Sequence, residues 1–207
     1  MGSKWIVGGG PFLDLVFRMW QQARPDQPLQ RLEVSQGPDY GFDFSALDVI
    51  AADNSGVFVA FDQRFGNFKR MELMQAVMER GWRMDPFVHP TAVVDNGTSI
   101  GPNSFIGPAT VIDPDCKIDY NTVIVSGAHV GYGSRIKSSC WLEHGVHLAD
   151  NVELGSHCTL HCGVILQRGI KVGRGCELGW PQVYRHDIPP RTVFDSRYDE
   201  PIHVYGK

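Results

Sequence analysis

The chain has 207 residues and a formal net charge of −4, from 19 basic and 23 acidic residues. Its hydrophobic content of 43% is ordinary for a protein with a buried core, arranged as one large domain or two small ones. Because there is no basic excess and no long run of either charge, nucleic-acid binding is disfavoured.

The first predicted elements are a short buried strand over residues 4–10 and an amphipathic helix that continues to Ala23. Gly8, Gly9 and Gly10 lie at the turn between them. Glycines at such a turn let backbone N–H groups approach a phosphate at the helix N-terminus, although they can also form a tight turn and nothing more.

The most apolar helical stretch, residues 11–23, is interrupted by Asp14 and Arg18 and is too short to cross a bilayer. The N-terminus also lacks the layout of a signal peptide. We therefore predict a cytoplasmic protein that does not enter a membrane.

A second strand is predicted over residues 56–62, and a second helix over residues 67–80 that ends at Gly81. Strands that alternate with helices favour a small Rossmann-like parallel sheet. We assign residues 1–84 to this α/β domain.

From residue 88 onward every sixth residue is aliphatic, sixteen times in succession, and a small side chain stands four residues after each of the first nine. The aliphatic positions are Val88, Val94, Ile100, Ile106, Ile112, Ile118, Ile124, Val130, Ile136, Leu142, Leu148, Leu154, Leu160, Leu166, Val172 and Leu178. A period of six fits neither a helix nor a simple two-sided strand. It fits a triangular coil in which three short strands and their corners complete one turn.

This pattern resembles the hexapeptide-repeat family, whose coils have eighteen residues and wind left-handed. The resemblance implies an all-β left-handed parallel β-helix over residues 85–193, with about five coils across residues 88–183, and a C-terminal tail over residues 194–207. Strands eighteen residues apart then pair about 4.8 Å apart along the axis.

The cysteines follow the repeat. Cys116, Cys140, Cys158 and Cys176 share the inward small position and are predicted to fill the core, whereas Cys162 is out of register and is predicted to face outward. All five are expected to be free thiols.

The residue before each aliphatic position points outward, and its character differs between the three sides. One column is charged, and two are mostly apolar. The charged column is Ser99, Lys117, Arg135, Glu153 and Lys171; the apolar columns are Phe105, Val123, Trp141 and Thr159, and Val93, Val111, His129, His147 and Ile165. Because two apolar sides are rarely left in water, we predict a homotrimer closed by heterologous contacts.

The order of elements carries a closer resemblance. Three segments follow one another in the chain: the strand with its glycine turn, then Phe58-Val59-Ala60-Phe61-Asp62, and then Phe87-Val88-His89-Pro90-Thr91-Ala92 at the start of the β-helix. This order is similar to that of the sialic-acid O-acetyltransferase/PglD-like group. That group includes nucleotide-linked aminosugar N-acetyltransferases. The resemblance implies that Gly8–Gly10 hold a UDP- or dTDP-linked sugar and that the β-helix holds acetyl-CoA between neighbouring subunits.

The same resemblance implies a catalytic site at Leu142-Glu143-His144-Gly145-Val146. His144 matches the catalytic histidine of the family and Glu143 the acid before it. Acyl transfer from a thioester to an amine needs a base near neutral pH, and a carboxylate beside an imidazole raises its basicity. Histidine packing at a subunit contact is the alternative.

We assign the acetyl-CoA side of the site to Cys162, Gly163 and Trp180. Cys162 and Trp180 stand one and two coils above His144, and Trp180, in place of a small residue, is expected to narrow the thioester channel.

Three departures from the family pattern bear on activity. Gly145 replaces the acid after the histidine, Pro11 replaces a histidine after the glycine turn, and residues 194–198 replace a Gly-Val-Pro-Ala-Lys segment that in the family often lies near the CoA nucleotide.

Two other functions are consistent with the sequence. A zinc hydratase of the γ-carbonic-anhydrase type shares the fold, but needs three converging ligands, two of them five residues apart, and no histidine pair here has that spacing. We expect no metal. A non-catalytic trimer that binds a nucleotide sugar or acts as a scaffold is the other alternative.

Overall fold

A computed structural model describes residues 3–50 and 56–204. The predicted domain ranges extend to residues 1–2, 51–55 and 205–207, which lie outside the described residues. In the described part of the chain, no helix has the length and apolar character needed to cross a membrane.

The α/β domain has a three-stranded parallel sheet in the order β2-β1-β3. Its elements are β1 (Lys4–Gly8), α1 (Gly10–Ala23), β2 (Leu29–Glu33), a 3-10 helix (Phe44–Val49), β3 (Gly56–Ala60) and α2 (Phe68–Glu79). One face of the sheet packs on α1, through Ile6 and Phe58, and the other face packs on α2, through Val7 and Val59. The predicted strand–helix alternation is confirmed, while β2 and the 3-10 helix were not predicted.

The rest of the chain is a triangular prism of two-residue strands, each paired in parallel with the strand eighteen residues away. The first side has β4 (Phe87–Val88), β7 (Phe105–Ile106), β10 (Val123–Ile124), β13 (Trp141–Leu142), β16 (Thr159–Leu160), β19 (Glu177–Leu178), β21 (Thr192–Phe194) and the antiparallel β22 (Ile202–His203). The second has β5 (Val93–Val94), β8 (Val111–Ile112), β11 (His129–Val130), β14 (His147–Leu148), β17 (Ile165–Leu166) and β20 (Val183–Tyr184). The third has β6 (Ser99–Ile100), β9 (Lys117–Ile118), β12 (Arg135–Ile136), β15 (Glu153–Leu154) and β18 (Lys171–Val172). The fold is the predicted parallel β-helix, with about six turns instead of five because β21 continues the column beyond residue 183.

The inside of the prism is lined by the aliphatic positions of the repeat and by the cysteine ladder. Cys140, Cys158 and Cys176 are fully buried, and each thiol donates to a backbone carbonyl oxygen at 3.1 Å. Cys116 is buried on another side, and Cys162 is exposed. The predicted placement of all five cysteines is confirmed, and none is in a disulfide.

The three outer sides differ as the sequence predicted, but one apolar side is not free. Phe105, Val123 and Trp141 on the first side are buried under α1 of the same chain, where Phe12 contacts Phe105 and Trp141 edge-on. This corrects the interpretation of that side as a subunit contact: the α/β domain covers it. The charged third side is exposed, and the second side keeps exposed apolar residues.

A buried arginine of the α/β domain forms hydrogen bonds with the β-helix. Arg70 at the start of α2 is fully buried and donates to the Asn121 carbonyl oxygen at 2.9 Å, the Cys140 carbonyl oxygen at 3.3 Å and Asn67 Oδ1 at 3.0 Å. Asn67 in turn donates to Thr159 Oγ1 at 3.2 Å. Burial lowers the pKa of Arg70 to about 9.

One corner of the prism adds a second set of polar contacts. Asn103 accepts a hydrogen bond from the Val59 amide of β3 at 2.7 Å and donates to Asn121 Oδ1, and Asn121 donates to the Ser139 hydroxyl. These three corner residues are eighteen apart, buried and in the left-handed backbone region. The contacts give the α/β domain a fixed position on the β-helix.

Candidate active site

The predicted catalytic segment forms the corner of the prism between β13 and β14. Leu142 and Val146 point into the core and are fully buried, so the residues between them are held on the outside. Gly145 has φ +66° and turns the chain, which glycine does without strain. His144 is exposed and Glu143 is half-buried at this corner. A turning glycine therefore stands where the family places its second acid.

The carboxylate of Glu143 is held by the coil above it. Its Oε1 lies 3.2 Å from Nδ1 of His161, and its Oε2 accepts a hydrogen bond from the Cys162 amide at 3.1 Å. Nε2 of His161 lies 2.9 Å from Oε1 of Glu177. The spatial acid–histidine–acid arrangement of this corner is thus Glu143–His161–Glu177.

The environment of His161 favours its charged form. The hydrogen bond with Glu177 raises the pKa of His161, and the neighbouring Glu143 raises it further against the opposing effect of partial burial. By contrast, the imidazole of His144 makes no hydrogen bond or ion pair with any side chain in the described part of the protein. Glu143 therefore contacts His161 and Cys162, and its carboxylate is not hydrogen-bonded to the His144 ring.

The residues assigned to the acetyl-CoA side lie on the same corner. Cys162 is exposed directly above His144, and partial burial together with the Glu143 carboxylate raises the pKa of its thiol. Gly163 has φ +81° and repeats the turn of Gly145. Trp180 packs on the end of the core, with its ring 5.0 Å from that of Phe194. The indole of Trp180 therefore packs over the C-terminal end of the prism core.

The glycine turn of the α/β domain is tightly packed. A Cβ on Gly8 would lie 1.7 Å from the Ala60 carbonyl oxygen, and the Gly9 amide donates to that same oxygen. Gly10 has φ +69° and begins α1, and the nearest atom to a Cβ there is a guanidinium nitrogen of Arg64. Gly8 is thus needed for packing, while Gly10 leaves the helix N-terminus next to a cation.

A contact between two aromatic rings links the glycine turn of the α/β domain to the predicted catalytic corner of the β-helix. Phe12, two residues after Gly10, lies 4.8 Å from the ring of Trp141, which stands two residues before Glu143. The start of α1 therefore docks on the strand that leads to His144, a proximity between domains that the sequence pattern did not predict.

His161 and Glu177 are the site residues that sequence reasoning missed. The signal was present for His161, since it follows Glu143 by one coil of eighteen residues. Glu177 is not in that column and reaches His161 from the adjacent strand β19.

The fold matches several solved structures along almost the whole chain. PerB from Caulobacter crescentus in complex with CoA and GDP-perosamine is similar with a TM-score of 0.81 and 24% identity over 93% of each chain. The acetyltransferase domain of PglB from Neisseria gonorrhoeae in complex with acetyl coenzyme A has a TM-score of 0.81 and 20% identity over 98% of this chain and 100% of that one. WeeI from Acinetobacter baumannii has a TM-score of 0.67 and 16% identity over 98% and 100%.

No protein-family model and no curated protein sequence matches the chain. At identities below 25% the structural likeness establishes the fold: an α/β domain followed by a left-handed β-helix. The fold implied by the resemblance predicted from sequence is therefore confirmed.

In the described residues, no group of three or more His, Cys, Asp or Glu side chains is arranged to hold a metal ion. The zinc-hydratase hypothesis therefore receives no support from the geometry.

Proposed function

We propose that the protein transfers an acetyl group from acetyl-CoA to an amino group of a nucleotide-linked deoxysugar. The observation that carries the proposal is the match of both domains, in one arrangement, to a structure that contains CoA and GDP-perosamine. The exposed imidazole of His144 at a prism corner is consistent with this chemistry. Because the nucleotide in that similar structure is GDP, we extend the expected substrates from UDP- and dTDP-sugars to GDP-sugars.

In the proposed reaction, the sugar amine attacks the thioester carbonyl and forms a tetrahedral oxyanion. His144 removes a proton from the attacking nitrogen, the C–S bond breaks, and the proton is returned to the departing CoA thiolate. An imidazole suits this role because its ordinary pKa lies near neutral pH. Backbone N–H groups at the corner would stabilise the oxyanion. Glu143 would act through the electrostatic field of its fixed carboxylate, since its oxygens are bound to His161 and Cys162.

We place the sugar diphosphate at the N-terminus of α1. A helix N-terminus binds anions through its free N–H groups and its dipole. Gly10 opens that end of the helix, and the guanidinium of Arg64 lies beside it. Arg64 is partly neutralised by Asp62, which it contacts through Nε at 2.7 Å, so the dipole is expected to contribute as much as the side-chain charge.

We infer that the active unit is a homotrimer in which acetyl-CoA lies between subunits. Within residues 3–50 and 56–204, the second side of the prism is the apolar side that stays open: Val93 is 64% exposed, Ile165 37% and Val183 38%. His129 and His147 stack between them with ring centroids 4.7 Å apart. An apolar stripe of this length favours contact with another copy of the chain.

The decisive experiment measures release of free CoA thiol from acetyl-CoA with a panel of UDP-, dTDP- and GDP-linked aminosugars. Turnover is expected with at least one sugar, and His144→Ala is expected to lower kcat by about 100-fold or more, as loss of a general base does. His89→Ala is the matched control, because His89 lies in the first coil and His144 in the fourth.

Turnover that His144→Ala leaves unchanged would refute the assignment of the base. Tight binding of a nucleotide sugar with no turnover would favour the non-catalytic scaffold instead. Sedimentation equilibrium measures the trimer independently, and Val111→Asp on the open side is expected to dissociate it. A wild-type protein that sediments as a monomer at micromolar concentration would contradict the trimer.

A further inference from the structure

The half-buried His161 lies between two carboxylates, one coil above Glu143, and takes no part in the proposed reaction. Glu143 is on one side of its ring at 3.2 Å and Glu177 on the other at 2.9 Å. We propose that His161 is a positioning residue, which fixes the carboxylate of Glu143, the residue before His144, and couples that corner to the C-terminal segment. This inference rests on the proposed function, since it names a further residue of the same site.

The geometry leaves Glu143 little freedom. One carboxylate oxygen is held by the His161 ring and the other by the backbone N–H of Cys162, and both partners belong to the coil above. A carboxylate on the corner of a prism otherwise has free rotamers in water. Removal of the ring would leave the Glu143 carboxylate with its contacts to Cys162, so the negative charge would be held less firmly while the corner itself remained.

The same geometry argues against His161 as the base. An imidazole with a carboxylate at each nitrogen is stabilised as an imidazolium, in which both nitrogens donate and neither can accept a proton. Its pKa is raised, first by Glu177 and then by Glu143. Two further charges face this group: Asp195 interacts with His161, and Arg197 with Glu177. The Cys162 thiol lies nearby on the Glu143 side.

The path to the C-terminal segment is structural as well as electrostatic. Strand β21 pairs with β19, which brings the pair Asp195–Arg197 to the end of the Glu177 strand. Gly179, in the coil above His161, makes this approach feasible. A Cβ there would lie 2.5 Å from the Phe194 carbonyl oxygen and 3.7 Å from the His161 ring. The segment that departs from the family pattern therefore lies close enough to interact electrostatically with His161 and Glu177.

The test combines turnover with titration of the His161 ring. In His161→Ala we expect kcat to fall about tenfold with both KM values changed less than about twofold, because substrate contacts are retained while a positioned charge is lost. His161→Gln, which keeps one donor, should recover part of kcat. In Glu177→Gln the pKa of the ring should fall, so the rate supported by the charged ring should be lost at a lower pH than in the wild type.

The ring titration is read by NMR without substrates, in wild type and in the Glu143→Gln and Glu177→Gln variants. A raised ring pKa that falls in both variants supports the proposal. An ordinary ring pKa, or an active wild type whose kcat and pH profile are unchanged by His161→Ala, overturns it. His89→Ala is the control, and urea midpoints establish that each variant is folded. If the wild type itself has no turnover, the proposed function has failed, and this inference loses its catalytic part with it.

Discussion

The docking of α1 on the β-helix predicts a large loss of stability when Phe12 is shortened to alanine. Phe12 is 6% exposed, and its ring lies 5.6 Å from that of Phe105 and 4.8 Å from that of Trp141. A phenylalanine buries roughly 150–250 Å², which at about 25 cal/mol per Å² corresponds to about 4–6 kcal/mol as an upper bound. Measured changes of this kind cost about 3–5 kcal/mol, and we expect that range for the unfolding free energy.

The assay is urea unfolding followed by tryptophan fluorescence, since Trp20 and Trp141 both lie in this contact. With a slope of about 3 kcal/mol per molar urea, the expected loss lowers the midpoint by about 1 M or more. Leu15→Ala is the matched control, because Leu15 is on the same helix and is 36% exposed. We expect it to change stability by no more than about 0.5 kcal/mol. Equal midpoints for the two variants would refute the docking of this helix on the prism.

Three further predictions test packing, burial and charge. Gly8→Ala should destabilise the fold by several kcal/mol in thermal unfolding, because the added Cβ would lie 1.7 Å from the Ala60 carbonyl oxygen. Gly9→Ala should destabilise it much less, because the atom nearest to its Cβ is 3.3 Å away on a side chain. Equal effects of the two substitutions would contradict the turn geometry. Ellman's reagent should label one thiol of five in the native protein, Cys162, and all five in denaturant; fast labelling of a second would contradict the buried ladder. Burial lowers the pKa of Lys4 to about 8, so between pH 8 and about 10.5 the unfolded state binds more protons than the folded state. The free energy of unfolding should therefore rise with pH across this range, by up to about 3 kcal/mol from this residue. Urea titrations of Lys4→Met should lack that rise.

The β-helix could be predicted from sequence because its repeat is a local rule. Each inward position must be filled by an aliphatic or small side chain whatever the rest of the protein does, so a residue such as Cys158 could be placed by counting alone. The strand–helix order of the α/β domain follows from similar local patterns. By contrast, β2 carries the sequence Leu-Gln-Arg-Leu-Glu, which is largely exposed and has no apolar pattern to identify it.

The partner of each outward column could not be predicted by the same rule. Trp141 and Val111 are both apolar and outward, but α1 covers the first and leaves the second open. The choice depends on contacts made far away in sequence, such as the bonds of Arg70 to the Asn121 and Cys140 carbonyl oxygens. A pattern of outward apolar residues predicts that something covers them, but does not say whether the cover is the same chain or another copy.

His144 can be assigned as the candidate base from sequence because family register and the six-residue period agree on it, and its catalytic role stays a prediction. The partner of Glu143 was assigned by adjacency in sequence, which is the wrong measure in this fold. Neighbouring corner residues diverge on the outside of a prism, whereas residues eighteen apart stack about 4.8 Å from each other. The nearest histidine ring to the Glu143 carboxylate is therefore the one above it, His161. In a β-helix, an acid–histidine pair is better sought at a separation of one coil than at a separation of one residue, and the charge state of His161 is the measurement that tests this argument.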